Sequence, residues 1–239
     1  MMRFLLTPSL LLAGVVSAQA AFTYVDASSG LGNTTLANGS AFSPPLNGTN
    51  GVDNNWEQRT TFGSGGNIFE SGGETAGEDA PELRTTISGL TAGTQYTIYV
   101  HFWDPTSTTE DWNVRAGLTS NAGANTLYSA ADATLELGGS TAAVLASTLT
   151  FSTGPTLFAE SGRALLAGLI GTATADSNGQ IFVFVDDLPT VATVNQRTWY
   201  DGVSYEAVPE PGSVMLSLLA SLGLLRRRRQ TSCRHSRWQ

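Results

Sequence analysis

Tyr99, His101 and Trp103 alternate along one stretch of the chain, with Asp104 just beyond and Trp112 and Arg115 a few residues later. Rings at every second position of an extended strand share one face. Such a face suits a sugar, whose C–H surface stacks on Trp or Tyr while a carboxylate and a guanidinium hold its hydroxyls. Asp104-Pro105 marks a strand exit, and exits and loops carry binding groups. Trp103, Asp104, Trp112 and Arg115 are therefore the candidate ligand-binding residues. The same spacing also builds a second hydrophobic layer, since large aromatics are commonly buried. Exposed indoles would favour a binding platform; buried ones would favour a structural role.

A second set is rich in oxygen. Asp26, Asp186, Asp187, Asp201 and Glu206 are candidate ligands for a structural Ca2+, which takes about six to eight oxygens. No segment has the spacing of an EF-hand loop, and no cofactor is required. Catalysis has less to stand on. Up to residue 207, His101 is the one histidine, too few for a typical zinc site. A Ser-His-Asp triad would have to use it, yet no nucleophile elbow is present. Two carboxylates can hydrolyse a glycoside, but no spacing selects a pair. The chain has no lysine, which excludes a phosphate-binding P-loop and Schiff-base chemistry. Cys233 is its only cysteine, so the body has neither a disulfide nor a cysteine metal site.

These groups sit in a body that reads as strands. From Thr94 to Trp103, Tyr96, Ile98, Val100 and Phe102 share one face and Thr97, Tyr99, His101 and Trp103 the other. That is strict period two among β-formers. Leu83, Thr85 and Ile87 alternate just before it, and Gly89 to Gly93 predicts a turn, so the two are expected to form an antiparallel hairpin. Further strands are predicted at Trp112 to Leu118, Thr134 to Leu137, Ala143 to Phe151, Leu165 to Thr174, Ile181 to Val185 and Trp199 to Glu206. Ile181 to Val185 lacks alternation, as for a strand covered on both faces. Ala164 to Ile170 also allows a short helix, weakened by its glycines. Asn178-Gly179 is a turn signal, and the Gly- and Asn-rich stretch from Gly30 to Gly77 reads mostly as loop. Seven or eight short strands without disulfides predict an all-β fold, an antiparallel β-sandwich of jelly-roll type.

The two ends carry addresses rather than chemistry. Met1-Met2-Arg3, an apolar core from Phe4 to Val16, and the small residues Ala18 and Ala20 form a secretory signal peptide, residues 1–20, cleaved before Ala21. The domain occupies residues 21–207. It keeps five arginines against nineteen acids, a formal charge of −14, while the whole chain carries −8. Such a body repels nucleic acid phosphates and anionic lipid, so both are rejected as partners. At the other end, Val208-Pro209-Glu210-Pro211 precedes an apolar run from Gly212 to Leu225 and then Arg226, Arg227, Arg228 and Arg229. Fourteen residues make a helix of roughly 21 Å, short for a settled span of about 20 residues. The arginines hold its far end in the cytoplasm.

Pro209, Glu210, Pro211, the short transmembrane run and the arginines resemble the sorting tail of the PEP-CTERM family of exported bacterial proteins. The resemblance covers residues 208–229 and leaves residues 230–239 as a short cytoplasmic tail. It implies an exosortase-type processing enzyme as partner, a temporary tether to the inner membrane, and final placement at the cell surface or in an extracellular matrix. Within the body, the turn and strand from Ile87 to Tyr96 and the run from Asp201 to Tyr205 resemble galactose-binding-like jelly rolls of secreted carbohydrate-binding modules. That implies a non-catalytic protein that binds extracellular polysaccharide. A carbohydrate-active hydrolase or lyase and a purely structural surface protein are the alternatives.

Overall fold

A computed structural model describes residues 23–41, 55–60, 63, 67–71, 79–103, 111–121, 124–129, 135–136, 150–151, 165–187 and 196–209. The signal peptide with Ala18 and Ala20, Asp104, and the tail from Glu210 through Pro211 and Arg226 to Arg229 lie outside them. Among the described residues no helix is long and apolar enough to cross a membrane.

The described elements are all strands: β1 (Thr23–Asp26), β2 (Thr34–Leu36), β3 (Glu57–Thr60), β4 (Asn67–Ser71), β5 (Leu83–Ile87), β6 (Gln95–Trp103) and β7 (Asp111–Trp112). They continue with β8 (Val114–Gly117), β9 (Thr126–Tyr128), β10 (Leu135–Glu136), β11 (Thr150–Phe151), β12 (Leu165–Thr174), β13 (Ile181–Asp186) and β14 (Gln196–Ala207). Two mainly antiparallel sheets result. The larger has the central order β10-β12-β6-β14-β1-β11, with β3, β4 and β7 attached through β14; the smaller runs β2-β5-β13-β8-β9. Only the β1–β11 and β7–β14 pairs are parallel. This is a β-sandwich-like fold, as the strand pattern predicts.

The alternation of β6 explains how the sheets meet. Tyr96, Ile98, Val100 and Phe102 enter the main core with Leu83 and Ile87 of β5 and Ile181, Val183 and Val185 of β13. Burying these rings and branched chains between sheets is the main stabilising term, about 1.5–3 kcal/mol for each large side chain. β13 itself corrects an expectation. It alternates, with Phe182 and Phe184 only half-buried on the outer side, and the Arg84 guanidinium lies 5.0 Å from the Phe182 ring centroid.

The expected β5–β6 hairpin does not form. β5 pairs with β2 and β13 in the smaller sheet, and β6 pairs with β12 and β14 in the larger. The turn between them crosses the end of the sandwich, because Ile87 and Tyr96 must both reach the core from opposite sheets. The Asn178-Gly179 turn does the same between β12 and β13. Gly179 has φ +69°, and a Cβ there would strike the Leu90 carbonyl, so this turn needs glycine. The segment from Leu165 to Thr174 is strand rather than helix, and three strands, β2, β3 and β4, lie inside the stretch read as loop.

A second close approach fixes the centre of the larger sheet. β14 slips by one residue against β6 between Tyr200 and Gly202. There Gly202 lets the Tyr24 hydroxyl and the Val25 carbonyl lie where a Cβ would be. Gly202→Ala is expected to cost about 1–3 kcal/mol by overpacking. A lowered urea midpoint with unchanged slope would register it; an unchanged midpoint would mean the site relaxes freely.

Candidate functional site

Trp103 and Trp112 belong to one buried cluster and face inward. Trp103 ends β6 and Trp112 ends β7, and both join a second hydrophobic cluster with Tyr24, Ile68, Tyr99, Leu165, Ala167 and Trp199. This cluster uses the other face of β6. Trp103 is 1% exposed and Trp112 is 3% exposed, and the Trp112 ring packs on Trp199 with centroids 4.5 Å apart and planes tilted by 41°. Neither indole offers a flat face to solvent. Arg115 is elsewhere: it sits half-buried on β8 in the smaller sheet, paired in register with Asp186. The predicted strand from Trp112 to Leu118 therefore breaks at Asn113, with β7 in one sheet and β8 in the other.

His101 is also enclosed, at 1% exposure. Its Nε2 lies 2.6 Å from Ser204 Oγ, and the Tyr24 ring meets it edge-on at 5.4 Å. Burial pushes the imidazole down to about 3, so it is neutral at ordinary pH. A hydroxyl and a base at this spacing suit nucleophilic chemistry only when a third group orients the base and substrate can enter. Here Nδ1 has no hydrogen-bond partner among the described residues, and Ser204 is as buried as the ring.

The five candidate calcium ligands occupy three places. Asp26 and Asp201 flank Tyr24, whose hydroxyl donates to the Asp201 carbonyl at 2.8 Å and approaches Asp26 Oδ1 at 3.4 Å. Burial and then these two negative charges raise the Tyr24 phenol well above its usual value, which keeps it a donor. Glu206 accepts from the Tyr99 hydroxyl at 3.2 Å. Asp186 and Asp187 end β13. Asp187 Oδ2 accepts from the Ser71 hydroxyl and from the Ala80 N–H at 3.1 Å. Burial, then the charges of Asp187, Glu82 and Asp79, push Asp186 up to about 7. Burial pushes Asp187 up to about 6, against the pull of its Ser71 and Ala80 donors. Among the described residues no group of three or more His, Cys, Asp or Glu side chains is arranged to hold a metal ion.

Two features escaped the sequence reading. Glu70, 1% exposed, takes Arg197 Nη1 on Oε1 at 3.0 Å and Arg59 Nε on Oε2. Arg59 in turn lies 5.5 Å from the Trp199 ring centroid. The signal available was weak: an acid and two arginines about 11 and 127 positions apart form a triad only once β3, β4 and β14 pair. The other is a cleft of about 330 Å³ where the two sheets part, lined by Asp26, Leu31, Asn33, Thr86, Ser88 and Tyr205. No protein-family model matches the chain, and no curated protein matches it either.

Proposed function

We propose that this is an exported, non-catalytic protein of the cell surface or extracellular matrix, with a mainly structural role. The observation that carries the reading is the burial of Trp103 and Trp112. It turns the aromatic face of β6 into a second hydrophobic layer, leaving the body with two apolar clusters. The neutral, enclosed His101 supports the non-catalytic part. Export follows from the signal peptide, and the Pro209-Glu210-Pro211 tail with its arginines supports sorting by an exosortase-type enzyme after a stay in the inner membrane. The sheet-to-sheet crossings at both end turns support the jelly-roll class.

Polysaccharide binding is the second reading, and the cleft favours it. Its size falls within the usual range for small-ligand pockets, about 300–1,000 Å³, and it combines Tyr205 and Leu31 with the polar side chains of Asp26, Thr86 and Ser88. Purified protein tested against a panel of polysaccharides, with calcium and then with EDTA, separates the two. The structural reading expects no saturable binding under either condition. Saturable binding that weakens in Tyr205→Ala would overturn it in favour of the cleft, and loss in EDTA would add a metal.

A further inference from the structure

We infer that the sandwich stands end-on upon the membrane, with the turns at residues 88–95 and 175–180 against the lipid headgroups and all its described carboxylates but Asp176 and Glu206 held away. The inference rests on the reading of the tail as a membrane tether and adds to it an orientation and a contact surface.

Position comes first. β14 is a central strand, hydrogen-bonded to β6 and β1, and Val208, just past its end, donates its N–H to the Gln95 carbonyl at 2.9 Å. Gly212, where the apolar run begins, is four residues further. Fully extended, those residues span no more than about 14 Å. The end of the sandwich that contains Gln95 is therefore the end that meets the bilayer. It is well tied: Leu90 N–H donates to the Gly179 carbonyl, Gly93 N–H to the Ala175 carbonyl and Ala175 N–H to the Thr94 carbonyl, each at 3.0 Å.

Charge then selects the pose. Following the strand registers of the larger sheet from the Gln95 end, Glu206 is the one carboxylate met among the described residues before the level of His101, and Asp176 lies in the end turn itself. Asp176 Oδ1 is occupied by the N–H groups of Asn178 and Gln180, both at 2.8 Å, and Glu206 by the Tyr99 hydroxyl. In the larger sheet Asp26 and Asp201 lie level with His101, and Glu57, Glu70, Asp111 and Glu136 lie beyond it; in the smaller sheet Asp79, Glu82, Asp186 and Asp187 lie at the ends of β5 and β13 away from the turns. The turns themselves, Ser88 to Gln95 and Ala175 to Gln180, contain no charged residue but Asp176.

A body lying on its side would bring its net negative charge, with Asp79 and Glu82 on the accessible surface, against phosphate-bearing headgroups within a Debye length, about 8 Å at physiological salt. End-on, β14 with a rise of about 3.3 Å per residue lifts Gln196 roughly 36 Å above Ala207, several Debye lengths clear. The Gln95 end, with only Asp176 and Glu206 as carboxylates among the described residues, approaches the surface at a smaller electrostatic cost than the acidic end.

The test uses the chain from Ala21 to Gln239 with Cys233→Ser, in which a single introduced cysteine is the only thiol. Nitroxide labels at Ala92→Cys and, separately, Asn55→Cys are compared on phosphatidylglycerol–phosphatidylethanolamine vesicles doped with a nickel-chelating lipid. Flotation is measured first: a chain that does not float with the vesicles overturns the tether and the orientation with it. For a chain that floats, relaxation by headgroup nickel should be several-fold stronger at residue 92 than at residue 55. Equal relaxation, or the reverse order, overturns the orientation and leaves the tether standing. In the residue-92 background, Thr91→Glu with Ser177→Glu should weaken the nickel effect on these anionic vesicles and not on phosphatidylcholine ones. No change on the anionic vesicles overturns the role given to charge.

Discussion

Glu70→Gln is expected to destabilise the fold by about 3–5 kcal/mol, the usual effect of removing one partner from a buried charge group. Glutamine keeps the shape of the side chain and can still accept one guanidinium, from Arg59 or Arg197. Its amide group then faces the other, and the two guanidinium groups lose the carboxylate that lies between them. The effect reaches further because Arg59 lies over Trp199, which packs on Trp112. Urea unfolding followed by tryptophan fluorescence should show a lowered midpoint with little change in slope, together with altered native emission. Replacing Arg59, Glu70 and Arg197 together by methionine should recover most of the loss, since apolar groups of similar volume substitute well for buried ion pairs. A cost under about 1 kcal/mol for Glu70→Gln would mean the triad behaves as a solvated surface pair.

That triad also shows what was legible in the sequence and what was not. β6 was legible because its period of two survives burial on both faces: Tyr96, Ile98, Val100 and Phe102 go to one core, and Tyr99 and Trp103 to the other. Whether the second face is covered depends on segments far away in the chain, and no local pattern encodes it. Glu57-Gln58-Arg59-Thr60 has no apolar residue, so nothing local marks β3 as a strand; it is one because β4 pairs with it and Glu70 claims Arg59. The glycines at 89 and 93 announced a reversal correctly, with φ +75° and +79°. They carry no information on which sheet receives the next strand, and so the crossing read as a hairpin. Asp186-Asp187 was legible as an acid pair, while its burial, which sets its chemistry, came from Ser71 and Ala80 more than a hundred residues upstream.

The buried acids should give the protein an unusual response to pH, with Asp186→Asn as the decisive variant. In the folded state Asp186 titrates at about 7 against 3.8 for the free side chain. At pH 8 it is ionised in both states, and folding then carries the full penalty of a buried, repelled charge. As pH falls through 7 toward 3.8, the folded state takes up a proton that the unfolded state does not, and stability rises. Asp187, at about 6, acts in the same direction over a narrower window. His101 acts oppositely. Its folded value of about 3 lies below the unfolded value of about 6.5, so the unfolded state protonates first and stability is lost as pH falls from 6.5 toward 3. Asp186→Asn should therefore stabilise the protein at pH 8, with the gain shrinking to nothing by about pH 4. His101→Gln, which can still bond Ser204, should leave a curve that rises more steeply on acidification between pH 7 and 4. Urea midpoints at pH 8, 6 and 4.5 decide it. If Asp186→Asn proves destabilising at pH 8, or its gain persists at pH 4.5, the carboxylate is compensated in the folded protein and burial does not govern it.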